Sequence, residues 1–216
     1  MAKAVLFDLD GTLLDTAPDL VKATNQVLRA IGEPECDYDY VSHFASHGAI
    51  GLLKRALGER LDHYNVTELR QLLLDFYQAD IASGSKLFDG IEPLLQSLDS
   101  QNVPWGIVTN KPAFLTDALL PHFNQFNRCQ VAISGDTCGV AKPDPLPMTT
   151  AAQALNIAPE DILYVGDAER DMQAGNKVAM TTLLALWGYI DEHDQPDQWQ
   201  ANGQLSHPLE ILDWLK

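Results

Sequence analysis

The chain has 216 residues, with 14 Lys and Arg against 30 Asp and Glu, a formal net charge of -16 at pH 7. So acidic a surface argues against nucleic acid and anionic membranes as partners, because both need clustered Lys and Arg. A hydrophobic share of 46% fits one large domain, or a core with a smaller insert, and is enough to bury a real core.

Ala4-Val5-Leu6-Phe7 is too short an apolar run for a helix and reads as a buried strand, broken at Gly11. Because the chain begins Met1-Ala2-Lys3 and enters that strand at once, no signal peptide is expected. Thr16-Ala17-Pro18-Asp19 reads as a helix start, with Thr16 as cap and Asp19 completing a capping box. Leu20, Thr24, Val27, Leu28 and Ile31 follow at helical spacing until Gly32. From Tyr38 to about Ser83 no strand is expected. Ile50, Leu53, Lys54 and Leu57 suggest one helix, and Leu69, Leu72, Leu73, Phe76 and Tyr77 another. Ser83-Gly84-Ser85 reads as a linker.

Beyond it helices alternate with short apolar runs. Helices are expected over Ile91–Ser100, Ala113–His122, Pro145–Leu155 and up to Val178. Strands are expected at Trp105–Val108, Val131–Ser134, Ile162–Val165 and Thr181–Ala185, and a surface loop over Asp191–Gln204. Such alternation predicts an α/β fold with a parallel sheet covered on both faces. Cys36, Cys129 and Cys138 have neither metal-ligand spacing nor an even disulfide count, so they read as free thiols. With no apolar run long enough to span a bilayer, the expected location is cytoplasmic.

Polar residues recur where these strands end, and the carboxyl ends of a parallel sheet form its ligand crevice. Asp8 and Asp10 follow the first strand, Thr109 and Asn110 the second, and Asp167 the fourth. Two carboxylates as close as Asp8 and Asp10 repel unless a cation joins them or one keeps its proton. One could then act as nucleophile and the other as general acid and base, or both could be turn and capping groups. Asp167 and Asp171 stand one helical turn apart, as a metal site or as complements to a helix dipole. Lys142, before Pro143, could neutralise a phosphoryl oxygen or be merely solvated. Thr109 and the neighbouring amides could hold phosphate oxygens. With oxygen ligands only, Asp8, Asp167 and Asp171 suit Mg²⁺ and not Zn²⁺. The conjunction of these features supplies nucleophile, acid, clamp and metal site.

Asp8-Leu9-Asp10-Gly11-Thr12-Leu13, Val108-Thr109-Asn110-Lys111, Lys142-Pro143-Asp144-Pro145 and Val165-Gly166-Asp167 with Asp171 together resemble the haloacid dehalogenase superfamily. The resemblance extends over nearly the whole chain and points to the phosphoglycolate phosphatase-like branch. It implies a Rossmann-like core over residues 1–14 and 86–216, with an inserted helical cap over 15–85. It implies that Asp8 is nucleophile and Mg²⁺ ligand. Asp10 would be acid and base, and would bind the metal through its carbonyl. Thr109 and Asn110 would hold phosphate, and Lys142 would clamp Asp8 and the phosphoryl group. Asp167 would bind the metal, with Asp171 ligating it or orienting its water. A dehalogenase needs no second acid, so Asp10 favours a phosphatase. A phosphoglucomutase-like mutase shares all four motifs and remains an alternative, as does, more remotely, a non-catalytic binding module.

The substrate expected from this resemblance is a small phosphorylated metabolite, acted on by a monomer or homodimer. Ser46-His47-Gly48-Ala49 falls where related enzymes place a cap loop, so His47 and Gly48 are candidate substrate contacts. Lys54 and Arg55 would add charge there or be solvated. Ser85–Gly90 with Trp105-Gly106, and Trp187-Gly188-Tyr189-Ile190 with Pro196, Trp199 and His207-Pro208-Leu209-Glu210, resemble enzymes called phosphoglycolate phosphatases, including a subgroup that acts on N-acetylmuramic acid 6-phosphate. Their aromatic residues also read simply as packing.

Overall fold

The computed structural model describes residues 2–215; Met1 and Lys216, which the expected core boundaries include, lie outside them. In chain order the elements begin with strands β1 (Ala4–Phe7) and β2 (Leu14–Asp15). Helices α1 (Ala17–Ala30), α2 (Tyr38–Val41), α3 (Gly48–Leu57) and α4 (Val66–Ala79) follow. Next come β3 (Lys86–Leu87), α5 (Ile91–Ser100), β4 (Trp105–Val108), α6 (Ala113–Leu119) and β5 (Ala132–Ile133). The chain continues through α7 (Leu146–Leu155), β6 (Ile162–Gly166), α8 (Glu169–Asn176), β7 (Thr181–Ala185) and β8 (Gly203–Leu205).

Six of these strands form one parallel sheet, in the order β5-β4-β1-β6-β7-β8. β1 lies at its centre, paired to β4 on one side and β6 on the other. Side chains alternate between the two faces, as the pleat demands. Val5, Phe7, Trp105, Ile107, Leu163 and Val165 enter one apolar cluster, and Ala4, Leu6, Val108, Ile162 and Tyr164 enter the other. The first cluster runs without a break from the sheet face into α1, α3 and α4. Packing against the second are Met148, Ala151 and Ala152 of α7 and Ala174 of α8. Strands buried on both faces explain why these runs read as continuously apolar.

Residues 16–85 contain helices and no β-strand, which includes the stretch from Tyr38 to Ser83 where none is expected. Their ends are joined by a second, two-stranded sheet, where Leu14 pairs antiparallel with Leu87 and Asp15 with Lys86. Two residues of pairing leave no periodic signal, which is why this ribbon is invisible in the sequence.

Two expectations fail. The first is the capping box at α1. The Thr16 hydroxyl makes no cap bond but donates to Asp10 Oδ1 at 2.6 Å. The N–H groups of Thr16 and Ala17 donate instead to the Tyr189 hydroxyl oxygen, at 2.6 and 2.8 Å. Asp19 is drawn away to the returning chain, where it accepts from Gly84 N, Ser85 N and the hydroxyls of Ser83 and Ser85. Tertiary partners have thus replaced a local cap.

The second failure is the loop over Asp191–Gln204. Trp199 is buried there against Met172 and Leu184, and Gly203 begins β8, which extends the sheet. Trp199 thus packs, as one reading of the aromatic residues expects, although the Gln- and Asp-rich stretch around it reads as a loop. Elsewhere the strand expected at Val131–Ser134 shortens to Ala132–Ile133, and the helix from Ala113 ends at Leu119 in a 3₁₀ turn over Leu120–His122.

Candidate active site

Asp8 sits at the carboxyl end of the central strand, with 2% of its surface exposed. Its backbone N–H completes the ladder to Val165 O, and its Oδ1 accepts from Leu9 N at 2.7 Å. Lys142 Nζ lies 3.1 Å from that carboxylate and 2.7 Å from Asp171 Oδ1. The same ammonium donates to Val108 O and to the Tyr164 hydroxyl, both at 2.7 Å. No part of the Lys142 side chain is exposed, so the turn before α7 delivers a fixed positive charge to the strand ends. Burial pushes the Asp8 pKa up, Lys142 opposes that, and Asp171 adds to it.

Asp167, after β6, completes a buried trio: one ligand oxygen from each of Asp8, Asp167 and Asp171 lies within 4.8 Å of the others. Glycines let the chain close around Asp167. A Cβ on Gly11, whose φ is +84°, would meet Asp167 Oδ2 at 2.1 Å, and one on Gly188 would meet Asp167 Cβ at 2.2 Å. Thr12 Oγ1 donates to Oδ1, while Ser46 Oγ and Tyr189 N donate to Oδ2. Burial, then Asp8, then Asp171 push the Asp167 pKa up to about 7. Three converging buried carboxylates, with only oxygen to offer, fit a hard divalent cation between them. Asp171 is also engaged through both oxygens: Oδ1 holds Lys142 and Oδ2 accepts from Ala168 N at 3.0 Å.

This site makes stability depend on pH when no metal is bound. A carboxyl whose pKa rises on folding favours the fold while protonated, and that contribution is lost as pH climbs through the folded value. In excess chelator the unfolding temperature is therefore expected to fall between about pH 4 and pH 7, and Mg²⁺ to restore it at about pH 8 by binding the folded state. Thermal unfolding across that range checks this; a flat profile in chelator would contradict the buried trio.

Asp10 points to the other side of the crevice. Lys111 Nζ reaches its two oxygens at 3.0 and 3.3 Å and donates to the Tyr77 hydroxyl at 3.0 Å. Burial works against the Lys111 ammonium, but Asp10 and Tyr77 outweigh it and hold the pKa above the ordinary lysine value. Thr109 and Asn110 are next to one another but differently engaged. The Thr109 N–H belongs to the sheet, bonded to Ile133 O, and its hydroxyl oxygen accepts from Lys111 N. The Asn110 side chain is paired with the backbone of Lys142 in both directions, at 2.9 Å each way.

A cavity of about 360 Å³ opens above these groups, and Asp8, Asp10, Thr109 and Asn110 all line it. Its far walls come from the helical segment, including His47, Gly48 and Tyr77. His47 packs its ring beside Phe44, and partial burial and Arg170 lower its pKa. Gly48 takes a φ of +65° between a 3₁₀ turn and α3, a conformation that favours glycine. Arg55 is stacked on Tyr40, outside the cavity, and Lys54 is exposed.

Four residues here escape sequence reasoning. Lys111 stands inside a quoted motif, but only the fold shows that it reaches back to Asp10. Tyr164 looks like one more apolar strand position and Arg170 like an ordinary surface residue, while Ser46 stands in the expected cap loop with nothing local to show that it reaches Asp167. Arg170 extends one guanidinium nitrogen to 3.9 Å from Asp8 Oδ2, while its buried Nε has no partner among the described residues.

Residues 5–185 match the family model for haloacid dehalogenase-like hydrolases. A phosphoglycolate phosphatase of Xylella fastidiosa (strain Temecula1) is 42% identical over 206 residues, covering 95% of this chain and 90% of that protein. An N-acetylmuramic acid 6-phosphate phosphatase of Pseudomonas aeruginosa is 38% identical over 213 residues, covering 99% and 94%. Among solved structures, a predicted phosphoglycolate phosphatase from Haemophilus somnus 129PT superposes with a TM-score of 0.88 at 23% identity, covering 100% and 98%. The last of these speaks for the fold alone.

Proposed function

The chain belongs to the haloacid dehalogenase-like hydrolase family and is a phosphatase; on that premise we propose that it hydrolyses its substrate through an aspartyl-phosphate on Asp8. The observation that carries this reading is Asp8 itself, buried at the head of the cavity, with Lys142 at 3.1 Å and two further carboxylates beside it.

In this mechanism an Asp8 oxygen attacks phosphorus and the ester P–O bond breaks. Asp10 gives its proton to the departing ester oxygen. In the second step Asp10, again a carboxylate, takes a proton from water, which attacks the phosphorus and returns Asp8 with release of inorganic phosphate. Lys111 and Thr16 both donate to Asp10, an arrangement suited to the carboxylate needed in that second step. Lys142 offsets charge on Asp8 and the phosphoryl oxygens, and the Thr109 hydroxyl is placed to hold one of them. Asn110 supports Lys142 from its backbone side. Phosphatases of this family are generally metal-dependent. We assign Mg²⁺ to Asp8 and Asp167, with the Asp10 carbonyl as a further ligand; when bound it neutralises the phosphoryl oxygens. Asp171 then acts mainly by orienting Lys142.

Residues 15–85 serve as a lid over the cavity, and Ser46-His47-Gly48 as the part of it nearest the reacting groups. Of the substrates named for the relatives, the sugar phosphate N-acetylmuramic acid 6-phosphate suits a cavity of this size better than the two-carbon phosphoglycolate. Both are acids as well as phosphate monoesters. A phosphate-release screen over phosphorylated metabolites, with Asp8→Asn as blank, tests the reading. Inorganic phosphate is expected from simple esters, in a reaction that chelator stops and Mg²⁺ restores. Sugar-phosphate interconversion with little phosphate release would favour a mutase instead.

A further inference from the structure

The helix α4 lays a stripe of three residues along the cavity wall: Arg70, Leu74 and Tyr77. Spacings of four and three put them on one face. Tyr77 marks the deep end, because its hydroxyl touches Lys111 beside Asp10. Seven residues of helix then carry Arg70 about 10 Å further along the axis, away from the reacting groups.

Charge pairing singles out this arginine. Arg29, Arg60 and Arg128 have carboxylate partners, Arg55 holds a carbonyl and an aromatic ring, and Arg170 faces Asp8. Arg70 makes no hydrogen bond or ion pair among the described residues. In a chain of net charge -16, with more than two acids per base, an arginine left unpaired and turned to a cavity has no internal use. Of the other cations nearby, Lys111 is tied to Asp10, Lys142 to Asp8 and Asp171, and Arg170 sits at the phosphoryl end of the cavity, 3.9 Å from Asp8.

We propose that Arg70 is a specificity-determining residue that receives a carboxylate on the substrate. The inference rests on the phosphatase reading above and narrows it to one class: a phosphate monoester whose carboxylate lies across a sugar-sized body from phosphorus. A guanidinium grips a carboxylate with two parallel N–H bonds, so it fixes orientation as well as charge. Leu74 between the two ends supplies an apolar wall for the body of such a molecule. A two-carbon acid held at Asp8 falls short of Arg70, which separates the two candidate substrates.

The test compares N-acetylmuramic acid 6-phosphate with N-acetylglucosamine 6-phosphate, which lacks only the carboxylated ether. The wild-type protein is expected to prefer the acid by about 10- to 100-fold in kcat/KM, the range for a hydrogen bond to a charged group. In Arg70→Gln that ratio collapses toward one. Arg70→Lys keeps part of it, and Arg70→Glu drives it below one. Gln, Lys and Glu are all good helix formers, and unfolding temperatures verify that each variant folds. A wild-type ratio near one, or a ratio that Arg70→Gln leaves unchanged, overturns the assignment while the phosphatase reading stands. Absence of phosphate release from every ester, p-nitrophenyl phosphate included, overturns both.

Discussion

Asp8→Asn is expected to lose at least about 10⁴-fold in kcat, as befits removal of a nucleophile from a covalent mechanism, and to unfold at nearly the wild-type temperature. The amide is almost isosteric with the carboxylate and still offers an oxygen to Leu9 N and to Lys142. The lysine is not stranded, because Asp171, Val108 O and the Tyr164 hydroxyl continue to hold it. In chelator at alkaline pH the variant should even be the more stable, since one of three crowded carboxylates is gone. Single-turnover phosphate release and thermal unfolding decide the matter together. A well-folded variant within about 100-fold of wild-type turnover would rule out attack by Asp8.

Lys142→Met should fail on both counts. It removes a wholly buried ammonium and leaves Asp8 and Asp171 without their shared counter-charge. Stranding a buried charge in this way costs about 3–5 kcal/mol, which lowers the unfolding temperature by roughly 10 °C in a chain of this length. Turnover should drop at least about 10³-fold, because the fixed charge opposite the phosphoryl oxygens is lost. The stability defect should shrink on acidification as the orphaned carboxyls take up protons. An unchanged unfolding temperature would mean that Lys142 is not the hub the geometry makes it.

Asp8 and Lys142 were both legible in the sequence because each ends or precedes an element whose pattern is unmistakable. Four apolar residues before Asp8, and proline after Lys142, fix where the chain must turn. Strand order then follows from alternation, and the crevice from the parallel sheet. What the sequence hides are contacts made at long range by residues of ordinary local character. Lys111 meets Asp10 across 101 positions. Ser46 meets Asp167 across 121. Tyr189 caps α1 from 173 residues away, and no local pattern separates that role from plain packing. The failed capping box makes the same point: Thr16 and Asp19 had the right chemistry at the right spacing, yet stronger partners elsewhere claimed both side chains.

The ribbon of β2 and β3 bears on how such a protein can change. The chain leaves the sheet and comes back to it through neighbouring, hydrogen-bonded residues, Leu14 opposite Leu87 and Asp15 opposite Lys86. The covalent path in and out of the helical segment is this one narrow neck, further buttoned by the four bonds from Ser83, Gly84 and Ser85 to Asp19. Loop-closure entropy grows only slowly with length, so the chain-closure cost changes little when a segment whose ends already touch is lengthened, shortened or exchanged, provided that its packing on the sheet face is kept. Such an exchange leaves β1, β4 and β6 where they are, and with them Asp8, Thr109 and Asp167. On the reading proposed above, the chemistry and the choice of molecule would then diverge separately, the former anchored in the sheet and the latter rewritten as a cassette.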